Sequence, residues 1–208
     1  MTDLLLLHTS PVHVPVFDAL RDRNHPGAVL RHLVVPELLD RARVEGPESV
    51  TPALRGLLAR AATPVLVTCS TIGATAESLA PVLGVPVLRV DRPMAAAAVR
   101  TGPRIAVLAA LESTLAPTGE LLAEEAGERP VSIRTHLVSG AWERFEAGDT
   151  TGYLARIAAA ADSVTGADVV VLAQASMAEA AGLATSPIPV LSSPAPGLAA
   201  GLAMRSMP

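Results

Sequence analysis

The chain of 208 residues contains no lysine: its 16 basic residues are all arginine, set against 20 acidic ones, for a formal net charge of -4. A pyridoxal-phosphate enzyme needs a lysine for its Schiff base, and a Walker-type loop needs one against its phosphates, so both classes are excluded. Aromatic residues make up 2% of the chain. With the mild acidity, that scarcity argues against a nucleic-acid partner, which calls for basic patches and stacking rings. There is one cysteine, Cys69, so no intramolecular disulfide can form and no oxidising compartment is implied. The sequence has no HExxH, no cysteine pair and no acidic cluster, so no metal is expected. Asp3 stands where a signal peptide would carry positive charge, and no run reaches the ~20 apolar residues of a membrane helix. The expectation is a cytoplasmic protein with no membrane partner.

What the chain has is aliphatic: hydrophobic residues make up 50% of it, almost all Ala, Val and Leu. Short apolar runs bounded by Pro, Gly or charge alternate with Ala/Leu helical patterns, the pattern of parallel strands covered by helices. The runs fall at 4–7, 30–35, 64–68 and 86–90, then at 104–110, 131–138, 168–173 and 188–193. Leu4 and Ile105, Val65 and Val170, and Pro86 and Pro189 are offset by 101, 105 and 103 residues, which points to an internal repeat of about 103 residues. The fold predicted is α/β, with two pseudo-symmetric lobes, each a mostly parallel four-stranded sheet flanked by helices. Residues 1–97 plus 189–208 are assigned to an N-terminal lobe and 98–188 to a C-terminal lobe. Thr51 before Pro52 is read as a helix N-cap, and residues 150–164, TTGYLARIAAAADSV, as a helix opened by threonine.

Ligands of open α/β sheets bind beyond the carboxyl ends of the strands, so the active site is expected in a cleft shared by the lobes. The strand-end residues are His8, Thr9 and Ser10; Cys69, Ser70 and Thr71; Ser113 and Thr114; Gln174, Ala175 and Ser176; and Ser192 and Ser193. Cys69 falls where the third strand gives way to a helix, and a helix N-terminus stabilises negative charge. A free cysteine is also often a small core hydrophobe, but the polar neighbours Thr68, Ser70 and Thr71 favour chemistry here. Ser70 and Thr71 can cap the helix, hold a carboxylate, or both. His8 is a candidate acid or base, or a structural histidine like most of the five. Ile72, Met94 and Met177 are candidate pocket lining, though Met and Ile at such sites are more often packing, and Arg92 and Arg100 are candidate partners for a second carboxylate or plain surface charges.

At VTCSTIGATA and VLAQASMAEAA the sequence resembles the aspartate/glutamate racemase superfamily, which includes hydantoin racemases, maleate isomerases and arylmalonate decarboxylases. The family's first signature, a strand followed by Cys, Asn or Ser, and Thr, matches Cys69, Ser70 and Thr71. Its second, Leu-Gly-Cys-Thr, falls on Leu172, Ala173, Gln174 and Ala175. VLAALESTLAPT is similar to its threonine-bearing segment and IPVLSSP to its closing strand. The resemblance implies a cofactor-free enzyme acting on a small carboxylic acid, with two opposed cysteines carrying protons on either face. Here Gln174 replaces the second thiol, and an amide is neither acid nor base near neutral pH. The first strand ends in His8 where glutamate racemases carry an acidic residue.

Three readings follow. In the first, Cys69 is the single acid/base or nucleophile of an isomerase or decarboxylase, with the carboxylate held by Thr9, Ser10, Ser70, Thr71, Ser113, Thr114, Ala175 and Ser176. In the second, the chain is an amino-acid or hydantoin racemase with His8 or water serving the other face. In the third, it is a non-catalytic binder of a small acid. A homodimer is the default assembly.

Overall fold

The computed structural model describes residues 3–204. The chain divides into two compact units, residues 1–90 with 194–208, and residues 91–193.

The first unit opens with β1 (Asp3–His8), α1 (His13–Asn24), β2 (Val29–Val34) and α2 (Glu37–Glu45). A 3-10 turn (Pro47–Val50) leads into α3 (Thr51–Leu58), then come β3 (Val65–Val67), α4 (Ser70–Ser78), α5 (Ala80–Leu83) and β4 (Val87–Arg89). The four strands form one parallel sheet in the order β2-β1-β3-β4. A parallel strand covered on both faces has no polar side, which is why LLLL and VLV read as unbroken apolar runs. Leu7, Val65 and Val67 point to one face, against Leu38, Leu54, Ile72 and Leu79. Leu4, Leu6 and Leu66 point to the other, against Phe17 and Leu198.

The second unit repeats the plan. It comprises α6 (Arg92–Thr101), β5 (Arg104–Ala109), α7 (Leu115–Ala126), β6 (Ser132–Leu137), α8 (Ala141–Glu146), α9 (Thr150–Asp162), β7 (Val169–Leu172), α10 (Ala180–Leu183) and β8 (Val190–Ser192). Its parallel sheet has the order β6-β5-β7-β8, the same winding as the first. Ile105, Val107, Val169 and Val171 face Met94, Ala98 and Leu121. Ala106, Leu108, Val170 and Leu172 face Tyr153, Leu154 and Ile157. All eight strands expected from the sequence are present.

The chain changes units at 90/91 and 193/194, not at 97/98 and 188/189. Residues 92–101 are one helix packed on the second unit's core, and 190–192 are the strand that pairs with β7. The final helix, α11 (Pro194–Ala203), belongs to the first unit, where Leu198 joins Leu4, Leu6 and Phe17. One expected cap also moves. The 3-10 turn runs straight into α3, so Thr51 is already helical and its hydroxyl donates back to the Glu48 carbonyl at 2.7 Å. In α9 the cap is Asp149, whose carboxylate accepts from the Gly152 amide at 2.9 Å; Thr150 is the first helical residue. That bond, with the one from Arg144, holds the Asp149 carboxyl below the usual range.

Gly197 lets α11 close on the end of β4. A Cβ there would overlap the Val90 carbonyl oxygen and lie 2.5 Å from Val90 Cγ2. The obstacle is backbone, and Val90 is pinned by its amide to the Val67 carbonyl at 2.9 Å. Gly197→Ala is therefore expected to cost about 3 kcal/mol, at the upper end of ordinary overpacking, and to lower the melting temperature by roughly 6 °C or more for a chain of this size. A melting temperature within about 2 °C of wild type would contradict this packing of α11.

Candidate active site

The third strand of the first unit delivers the thiol. Val65, Leu66 and Val67 are fully buried, and Cys69 is the last extended residue (φ -115°, ψ 116°) before α4 begins at Ser70. Cys69, Ser70 and Thr71 are buried, and the Cys69 side chain joins the cluster containing Val67 and Ile72. The first amides of a helix have no carbonyl of their own to bind, and the first turn of α4 contains no acidic residue to compete for them. A negative charge at this end is therefore stabilised. One turn on, Gly73 allows the buried side chain of Arg89 to lie along the helix: a Cβ at Gly73 would stand 3.0 Å from Arg89 Cβ and 3.2 Å from its Nε. The Arg89 amide donates to Glu77 Oε1 at 2.9 Å, tying β4 to α4. The sequence signal for Arg89 is a charge inside an otherwise apolar strand, PVLRV.

The neighbouring strand β1 ends in His8, which is fully buried. Its Nδ1 lies 2.8 Å from Thr68 Oγ1 and its Nε2 lies 2.8 Å from His32 Nδ1, while His32 Nε2 lies 3.4 Å from Asp18 Oδ1. The ring stacks on His32 and is tilted against Phe17 and His13, with centroids 5.1, 5.7 and 6.2 Å away. Burial, then the charges of His13 and His32, push the His8 pKa down to about 3. Burial alone lowers that of His13 to about 4. His8 is thus a neutral ring with both nitrogens engaged, which is the geometry of a packed structural histidine. Thr9 is buried and Ser10 half-buried in the turn that follows.

In the second unit Gln174 holds the position after β7 that Cys69 holds after β3, with the same extended backbone (φ -120°, ψ 141°). Its side-chain carbonyl accepts from the backbone amides of Ala110 (2.6 Å) and Leu111 (3.1 Å) at the end of β5. Ala175 is buried, and Ser176 Oγ lies 2.8 Å from the Tyr153 hydroxyl. Burial raises the Tyr153 pKa to about 12, so it stays protonated. Thr114 is buried, and Ser113, Thr118 and Ser193 each carry a buried hydroxyl oxygen without a hydrogen-bond partner. Thr118 was not singled out from sequence; its signal was the four-residue step from Thr114, one helical turn.

Of the two readings of Ile72, Met94 and Met177, packing is the one the structure bears out: each is at most 1% exposed and belongs to an apolar cluster. Arg92 is engaged by two carboxylates of α7, Glu124 at 3.1 Å and Glu125 at 2.6 Å. Arg100 is exposed on α6. Among the described residues no group of three or more His, Cys, Asp or Glu side chains could hold a metal ion, and no helix is long and apolar enough to cross a membrane.

A family model described as Asp/Glu/Hydantoin racemase matches residues 13–200. The chain belongs to this family. Its superfamily acts on small carboxylates. Solved racemase structures share the architecture. A glutamate racemase isoform from Bacillus anthracis superposes with a TM-score of 0.73 at 16% identity, covering 96% of this chain and 79% of that one. Aspartate racemase from Picrophilus torridus gives 0.67 at 15% identity, covering 100% and 96%. Arylmalonate decarboxylase gives 0.56 at 17% identity, covering 99% and 94%. At these identities the likeness is one of fold, and a sequence search of curated proteins finds no match.

Proposed function

We propose that this member of the racemase family is a cofactor-independent enzyme that acts on a small carboxylic acid through one thiol, Cys69. The observation that carries the reading is the asymmetry of the two equivalent strand ends: Cys69 after β3, and after β7 an amide, Gln174, with its carbonyl tied to two backbone groups. The thiolate takes the proton α to the carboxylate, and the electron pair of the broken C–H bond moves into an enediolate. Ser70 and Thr71, with the first amides of α4, hold the developing charge, and Thr9 and Ser10 from the turn after the adjacent strand β1 help to hold the acid. The thiol then delivers the proton from the same face to a carbon conjugated with the enediolate, which gives an isomer; return to the original carbon gives proton exchange alone. In the decarboxylating variant, the C–C bond breaks to release carbon dioxide, the pair enters the same enediolate, and the thiol protonates it.

Gln174 replaces the second proton carrier of the two-thiol plan, and an amide cannot fill that role. The engaged nitrogens of His8 support the same one-sided chemistry. Reaction of Cys69 with iodoacetamide, followed by mass spectrometry, tests the placement of the acid. An acid that binds, as read by a raised melting temperature, is expected to slow labelling at least about tenfold, the change that 90% occupancy of the site produces. Labelling unchanged in the presence of an acid that raises the melting temperature would overturn the assignment.

A further inference from the structure

We infer that the paired amides of Ala110 and Leu111 form a carboxylate-binding site, and that Gln174 is its built-in occupant, closing it to small acids. Two consecutive backbone N–H groups converge on a single oxygen, Gln174 Oε1, at 2.6 and 3.1 Å. Convergent main-chain amides of this kind form an anion-binding concavity. The side-chain carbonyl fills it as one oxygen of a carboxylate would, but brings no charge. The contact spans 64 residues of sequence, from the end of β5 to the end of β7. It places the oxygen beyond the carboxyl ends of two adjacent strands, where open α/β sheets take ligands. Ala110 is buried, while Leu111 and Gln174 are half-buried, so a small ion can reach the amides once the glutamine side chain is gone. Ser113, two residues beyond Leu111, carries a buried hydroxyl with no partner, a donor in the same turn that Gln174 leaves unused.

The inference extends the one-thiol reading, because it says what Gln174 does in place of proton transfer. The second unit then offers a substrate neither a proton carrier nor an open anion site, and the carboxylate is left to the first turn of α4. The test needs neither turnover nor Cys69, so its failure is distinct from a failure of that reading.

Acetate is the probe, titrated at constant ionic strength with chloride, and the readout is the backbone amide resonances of Ala110 and Leu111 in nitrogen-15 correlation spectra. Gln174→Ala is expected to give saturable shifts of both resonances, with acetate bound at least about tenfold more tightly than by wild type, as the loss of an internal competitor requires. Gln174→Glu is expected to give none, because its own carboxylate fills the pair. If Gln174→Ala loses its dispersed spectrum, Gln174→Ser is titrated in its place, with a rise in melting temperature with acetate as a second readout. A folded Ala or Ser variant without saturable shifts would overturn the inference, because a purely structural brace leaves a weaker fold but no acetate site. Equal shifts in wild type would overturn it too.

Discussion

Lowering the pH from 7 to 5 is expected to cost the folded chain about 4 kcal/mol, roughly 2 kcal/mol for each of two histidines that the fold keeps neutral. His8 and His13 titrate in the folded state at about 3 and about 4, against 6.5 for an unperturbed histidine. Both folded values lie below the unfolded one, so below pH 6.5 the unfolded chain binds more protons. The stabilisation is complete above that pH and falls as the pH drops toward 4. The cause is structural: His8 sits between Thr68 and His32 and against Phe17, and the buried His13 Nδ1 has no partner, so a proton on either ring would be desolvated beside other imidazoles. The carboxylates with lowered values, Asp149, Asp162 and Asp168, lose their contributions only near and below their ordinary pKa of 3.8. The window from pH 6.5 to 5 therefore isolates the histidines. Urea unfolding at pH 7, 6 and 5 measures the effect, and His13→Leu should remove about half of it. A stability that is flat across this window would mean that the two rings are solvated or already charged.

Cys69→Ala is expected to abolish turnover, a loss of at least about a hundredfold, since a missing general acid/base typically removes about 10²–10⁴. Cys69→Ser should be nearly as inactive, because a hydroxyl in that place does not ionise near neutral pH. Neither change should unfold the protein. The side chain is small, and losing one sulfur from the cluster around Val67 and Ile72 costs about 1 kcal/mol. Intact unfolding curves together with lost activity separate a chemical role for the thiol from a packing role.

The central strands were legible because they are covered on both faces: a run such as DVVVLA has no polar side to break it, whereas the edge strands β2 and β6 carry Arg and His on exposed or half-buried positions and were read from their place in the repeat. The unit boundaries were less legible, since they depend on where α6 packs and on the pairing of β8 with β7, contacts between segments distant in sequence. Thr51 is not a cap for a local reason, the 3-10 turn that precedes it, and the cap of α9, Asp149, stands one residue before the threonine that opens the helix.

At the site, Cys69 could be located from its neighbours because a strand end followed by Ser-Thr and an Ala-rich helix is a local pattern. His8 could not be judged that way. Its partners, Thr68 and His32, come from adjacent strands 60 and 24 residues away, and only the fold shows that they consume both ring nitrogens. For Met94 and Met177 the sequence left pocket lining and packing open, and each lies in an apolar cluster against the second sheet. The bond from Gln174 to the end of β5 has no sequence signature at all.

The central claim, one-sided chemistry at a single thiol, is tested most directly by proton NMR in deuterium oxide. Wild type and Cys69→Ala would be compared on aspartate, glutamate, hydantoins, maleate and substituted malonates. The account predicts exchange or loss of carbon dioxide in wild type alone, with deuterium entering one face and the configuration never inverting. Inversion at a rate comparable to exchange, or the same activity without the thiol, would contradict it.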